Sequence, residues 1–87
     1  LMNIFFHKNF MKGYRKLDGR IKTQFKKRLA VFVQDPFHPL LDNHALHGAW
    51  QEFRSINITG DLRVVYRIIA SDTAYFVAIG RHRDLYD

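Results

Sequence analysis

Five residues in this sequence have the chemistry of a phosphodiester-cleaving site: His44, His47 and His82 as proton carriers, Arg63 and Arg81 as fixed cations. They lie in three short segments: Asp42-Asn43-His44-Ala45-Leu46-His47-Gly48, Gly60-Asp61-Leu62-Arg63, and the tail Gly80-Arg81-His82-Arg83-Asp84-Leu85-Tyr86. A ribonuclease that uses no metal makes the RNA 2′-hydroxyl attack its own phosphate. A base must take the hydroxyl proton, an acid must protonate the departing 5′-oxygen, and a cation must stabilise the phosphorane. Histidine suits the first two tasks because it titrates near neutrality. Arginine suits the third, since its planar fork matches phosphate oxygens and keeps its charge.

Each residue also has a plainer reading. His38, between Phe37 and Pro39, reads as packing, and His7 as a solvated or capping residue at a helix start. Asp61 after Gly60 is, on spacing alone, a turn former. Arg63 and Arg67 on a strand face could simply keep a sheet soluble. His44 and His47 are spaced like metal ligands, but no carboxylate or further His stands at recognisable ligand spacing, so no metal and no cofactor is expected.

The chain that must position these residues has 87 of them, enough for a single domain spanning 1–87 with one modest core. Eight Phe, four Tyr and one Trp supply the large apolar units. With no Cys, disulfides and thiolate metal sites are excluded. Lys and Arg number 14 against 8 acidic residues, a formal charge of +6, which points to an anionic partner. Apolar runs are too short for a membrane span, and the N-terminal one is too short for a signal peptide. A cytoplasmic protein with no membrane partner is the simplest expectation.

Periodicity orders the elements as strand, helix, helix, loop and three strands. Asn3 to Phe6 reads as an edge strand. Phe6, Phe10, Tyr14 and Leu17 recur at helical spacing, and Asp18 is placed to cap a second helix. That helix carries Ile21, Phe25, Leu29, Phe32 and Val33 on one face and Lys22, Lys26, Lys27 and Arg28 on the other, and Asp35-Pro36 ends it. Residues 36–51 read as a loop, long for so small a domain. Ser55 to Thr59, Leu62 to Ile69 and Tyr75 to Gly80 then alternate as strands joined by tight turns at Gly60-Asp61 and Ser71-Asp72. With Ile56, Ile58, Val64, Tyr66 and Ile68 facing the helices, Ser55, Asn57, Thr59, Arg63 and Arg67 share an opposite face that is polar, basic and uncovered. The fold class is α+β: two N-terminal helices on one face of a four-stranded, mainly antiparallel sheet, in the order β-α-α-β-β-β.

The order of segments from Phe10-Met11-Lys12-Gly13-Tyr14 through Asn43-His44-Ala45-Leu46-His47-Gly48, Asp61-Leu62-Arg63-Val64-Val65-Tyr66 and Gly80-Arg81-His82-Arg83-Asp84-Leu85-Tyr86 resembles the RelE/ParE toxin superfamily and, within it, the YafQ-type branch. No single motif is specific; the ordered set is, and it covers about residues 3–87. The resemblance implies an mRNA interferase working in the ribosomal A site against rRNA, neutralised by an acidic antitoxin. It implies His44, Asp61 and His82 as catalytic residues, with Arg63 on the scissile phosphate and Tyr86 stacking on or orienting the RNA. Arg81, Arg67, Asn57 and His47 complete the expected RNA contacts.

Two positions depart from the pattern. Where YafQ-type toxins carry a further His before the hairpin, this chain has Asn57, and where they often carry an Arg in the last strand it has Ala78. Asn57 can be neither acid nor base, and Ala78 cannot hold a phosphate; Arg63 or Arg81 could compensate for the missing cation. The alternatives are a ParE-like toxin that inhibits gyrase, against which His44 and His82 argue, and a non-catalytic RNA-binding relative, which Asn57 and Ala78 favour.

Overall fold

The computed structural model describes residues 1–86. Strand β1 (Asn3–Phe6) leads into helices α1 (Lys8–Arg15) and α2 (Gly19–Gln34); after a long connection come β2 (His44–Ala45), β3 (Arg54–Asn57), β4 (Leu62–Ala70), β5 (Thr73–Arg81) and a short helix α3 (His82–Tyr86). Both long helices begin where the sequence offers a cap. The His7 ring Nδ1 accepts the Asn9 N–H at 2.9 Å, and the Asp18 carboxylate accepts the Ile21 N–H at 2.9 Å. Helix α2 stops at Asp35, which is extended ahead of Pro36.

The sheet order is β1-β5-β4-β3-β2, with β1 parallel to β5 and the remaining neighbours antiparallel. The expected helix-on-sheet architecture is therefore present, but the sheet has five strands rather than four. The extra one is β2, inside the segment read as loop, where His44 pairs with Ser55 and Ala45 with Arg54. A strand of 2 residues is too short to leave an alternation in the sequence. The same connection also forms 3-10 turns at Pro39–Leu41 and Gly48–Trp50.

The core lies between the helices and one sheet face. Phe76 is its hub: its ring meets those of Phe6, Phe10, Phe25, Phe32 and Tyr66, with centroids 5.4 to 6.4 Å apart. Strand β5 feeds this core through a bulge. Val65 pairs with Ala78 but Tyr66 with Phe76, leaving Val77 without a partner, so Phe76 and Ile79 both face inward although three positions apart. Ile68, expected inward, is 47% exposed, and the other three of the last four residues of β4 are exposed too, where a second register shift falls between Ile68 and Ala70.

Phe76→Ala should therefore destabilise the fold by about 3–5 kcal/mol, whereas Phe5→Ala, at a ring 59% exposed, should cost no more than about 0.5 kcal/mol. Urea midpoints of the two variants measure the difference; equal midpoints would show that the Phe76 cluster is not the centre of the core.

Candidate active site

The sheet face opposite the helices is where the sequence places its polar residues, and register brings them together. Asn57 pairs with Arg63 across β3 and β4, Ser55 pairs with Val65, and His44 stands beside Ser55 on β2. This face was expected to be open. Instead Ser55 is fully buried and Arg63 only 9% exposed, because the 42–50 segment and the C-terminal helix fold over it.

Arg63 accounts for that cover. Its Nε–H donates to Ser55 Oγ at 2.6 Å, one terminal N–H donates to the Asp42 carbonyl at 2.9 Å, and the other terminal nitrogen lies 3.5 Å from the Asp42 carboxylate. A guanidinium has five donors, so N–H groups remain for an anionic ligand. Asp42 reaches this position with a left-handed backbone, φ 45°, which turns its carbonyl toward the arginine. Asp tolerates that conformation better than most residues with a side chain.

His44 adjoins the same group. Its Nδ1 lies 3.0 Å from the Asp42 carbonyl and 3.4 Å from an Arg63 terminal nitrogen. The shorter contact is the stronger. With Nδ1–H donating to the carbonyl, Nε2 is left bare, the form needed to accept a proton.

The loop bearing Asp42 and His44 is held by the residue between them. Asn43 Nδ2 donates to the Pro36 carbonyl at 2.8 Å and to the Tyr66 hydroxyl at 2.7 Å, while its Oδ1 accepts from Arg54 Nε at 2.8 Å. Burial pushes the Tyr66 phenol above its ordinary pKa, against the Asn43 hydrogen bond and the Arg54 charge, so the hydroxyl remains a neutral partner.

The C-terminal helix closes the other side. Tyr86 donates its hydroxyl to the same Ser55 Oγ at 2.8 Å, and its ring meets His82 edge-on with centroids 4.7 Å apart. Trp50 Nε1–H donates to the Leu85 carbonyl at 3.2 Å, tying the loop to the helix. His82 is thus linked to Arg63 through Tyr86 and Ser55.

Of the residues singled out from the sequence, Arg63, His44, Tyr86 and His82 form this linked cluster, and Asn57 lies beside Arg63. Asn57 Oδ1 is buried with no hydrogen-bond partner. Asp61 and Arg81 pair with each other at 3.2 Å on the exposed hairpin end, where the Asp61 carbonyl also accepts the His82 N–H at 3.2 Å. Arg67 is exposed further along β4, and His47 is an exposed residue whose side chain makes no capping bond to the following turn. Sequence reasoning missed Ser55, Asp42 and Asn43 as parts of the site. Ser55 lay on the right face, but nothing in its type distinguished it from a surface serine. Among the described residues, no group of three His, Asp or Glu side chains is placed to hold a metal ion, and no helix is long and apolar enough to cross a membrane.

The chain resembles solved toxins over its full length. YafQ from Escherichia coli strain BL21(DE3) superposes with a TM-score of 0.82 at 16% identity, covering 100% of both chains. The toxin of the E. coli DinJ–YafQ toxin–antitoxin complex gives a TM-score of 0.79 at 17% identity, over 99% of this chain and 98% of the other. A metal-bound toxin from Helicobacter pylori gives 0.71 at 26% identity, over 99% and 100%. No curated protein matches the chain. The family model described as "Bacterial toxin of type II toxin-antitoxin system, YafQ" matches residues 2–87, and the chain belongs to that family.

Proposed function

We propose that this toxin is a ribosome-dependent, metal-independent endoribonuclease of the cytoplasm that cleaves mRNA in the ribosomal A site by attack of a 2′-hydroxyl on the adjacent phosphate. The observation that carries this reading is Arg63: a permanent cation, nearly buried, held in a fixed orientation with the His44 Nδ1 3.4 Å from one of its terminal nitrogens. Burying such a group is costly, and a fixed cation is worth most against charge that develops during reaction.

In this scheme the scissile phosphate lies against the unused N–H groups of Arg63. His44 Nε2 takes the proton from the 2′-hydroxyl, the 2′-oxygen bonds to phosphorus, and the bond to the 5′-oxygen breaks as His82 protonates it. The products are a 2′,3′-cyclic phosphate and a 5′-hydroxyl. Tyr86 positions His82 and braces Ser55, so its hydroxyl is engaged within the protein as well as beside the RNA. Asn57, half-buried beside Arg63, would offer its side-chain N–H to the bound strand, since its Oδ1 is buried away from the surface. Asp61, paired with Arg81 at the hairpin end, acts by holding the start of α3 and by shaping the local charge. Arg81, Arg67 and His47 attract and hold the message and the surrounding rRNA.

His82→Ala should lower the cleavage rate on programmed ribosomes by about 10²–10⁴-fold, the usual contribution of one proton-transfer partner, while the protein still folds. Undiminished cleavage would remove His82 from the reaction, and loss of gyrase supercoiling with the message intact would favour the ParE-like alternative.

Arg63 and Arg67 should behave differently. Arg63→Lys, which keeps the charge but not the fork, and Arg63→Ala should lower kcat by about 10²–10³-fold for the alanine change. Arg67→Ala should raise KM and flatten its salt dependence. Equal effects of the two alanine changes on KM, with kcat intact, would place neither at the reaction centre.

The partner in the E. coli complex is an antitoxin, and a domain of formal charge +6 calls for an acidic one here. Expressed alone from a tight promoter, the protein should arrest growth, and co-expression of an adjacent small acidic reading frame should restore it. Normal growth and translation on solitary expression would count against the toxin activity.

A further inference from the structure

The outer sheet face continues past Arg63. Arg67 stands on it four residues further along β4, about 13 Å away at the usual strand rise. Beside it lies a groove of 620 Å³, lined among others by His7, Trp50, Phe53, Arg67, Tyr75 and Ala78. That size is within the range of ligand-binding clefts, roughly 300–1,000 Å³. Its rings are arranged in relation to one another. Trp50 and Phe53 meet edge-to-face at 5.4 Å, the Arg67 guanidinium lies 5.9 Å over the Phe53 ring, and His7 stands 5.6 Å from Tyr75.

None of these residues belongs to the buried core cluster, and of them only Arg67 has a role above, in holding RNA rather than in the reaction. Trp50 is oriented by its bond to the Leu85 carbonyl. Because His7 Nδ1 accepts the Asn9 N–H, its proton sits on Nε2, which is therefore a donor. Ala78 contributes a small wall where an arginine would occupy the groove.

We propose that this groove holds an unpaired nucleobase of the substrate RNA, further along the strand from the scissile phosphate, stacked on Trp50 and Tyr75, with Arg67 and His7 donating to its phosphate or edge. The inference rests on the RNA-cleaving reading for the identity of the strand. Aromatic faces interleaved with cations suit a base and its phosphate, whereas an apolar peptide side chain would leave Arg67 and His7 without acceptors. Continuity with Arg63 lets one strand engage both places.

Trp50 is the only tryptophan, so its fluorescence reports directly on the groove. The probe is a short 2′-O-methyl RNA, which lacks the attacking hydroxyl, set against an abasic oligonucleotide of the same length and charge. The base-bearing strand should quench Trp50 and bind at least about fivefold tighter than the abasic one, the low end of what one stacked base contributes. Tyr75→Ala and Tyr75→Leu should both shrink that preference. Equal quenching and affinity for the two strands, or a preference undiminished in both variants, would overturn the proposal. So would quenching by an acidic amphipathic peptide with none by RNA, which would assign the groove to a protein partner. Base-dependent quenching by a protein that leaves ribosome-bound mRNA intact would sink the nuclease reading and leave the nucleobase site standing; cleavage without base-dependent quenching would do the reverse.

Discussion

A guanidinium cannot shed its proton, so an arginine taken almost out of water must find acceptors inside the protein. Arg63 finds three acceptors in two parts of the chain: Ser55 on the neighbouring strand, and the carbonyl and carboxylate of Asp42 in the loop. Each acceptor brings its own segment along. Asp42 must take a left-handed backbone to serve, Ser55 is capped from above by Tyr86, and Tyr86 carries the helix that begins with His82. The long connection and the C-terminal turn therefore close over the sheet around one buried charge. The loop is held independently by Asn43 and Arg54, so the site does not rely on the cation alone.

Much of the fold was legible in the sequence because its signals are periodic. The α2 stripe of Ile21, Phe25, Leu29 and Phe32 and the caps at His7 and Asp18 depend on repeating or local rules, and all are present, whereas β4 forms where expected but is buried on both faces from Leu62 to Tyr66 and exposed beyond. What escaped was short or irregular. Strand β2 spans 2 residues, helix α3 spans 5, and the bulge at Val77 shifts the face of β5 midway. Such features are set by tertiary pairing, which leaves no period to detect.

The candidate site divides along the same line. Residue type drew attention to His44, Arg63 and His82, the family resemblance to Tyr86, and the structure joins them through Ser55 and Asp42. Alternation also placed Arg63 on the correct face. It could not show that the face was covered, because the covering contacts link positions 8 to 31 residues apart. Nor could it show that Asp61 pairs with Arg81. The substitutions at Asn57 and Ala78 take on structural meaning only in three dimensions: one leaves a buried acceptor beside Arg63, the other helps to open a groove beside Arg67.

The proposed reaction needs only a proton acceptor, a proton donor and a fixed cation, and it leaves a distinct chemical mark. If the 2′-oxygen attacks while Arg63 holds the phosphate, the upstream fragment ends in a 2′,3′-cyclic phosphate and the downstream fragment begins with a 5′-hydroxyl. If water attacks instead, cleavage leaves a linear phosphate at one of the new ends and no cyclic product. The most direct measurement is the chemistry of the new ends of a message cut on programmed ribosomes by the wild-type protein. Cyclic phosphate and 5′-hydroxyl ends, formed far more slowly by Arg63→Ala, are the expected result. Ends bearing a 5′-phosphate and a 3′-hydroxyl, or a message left whole by the wild-type protein, would contradict it.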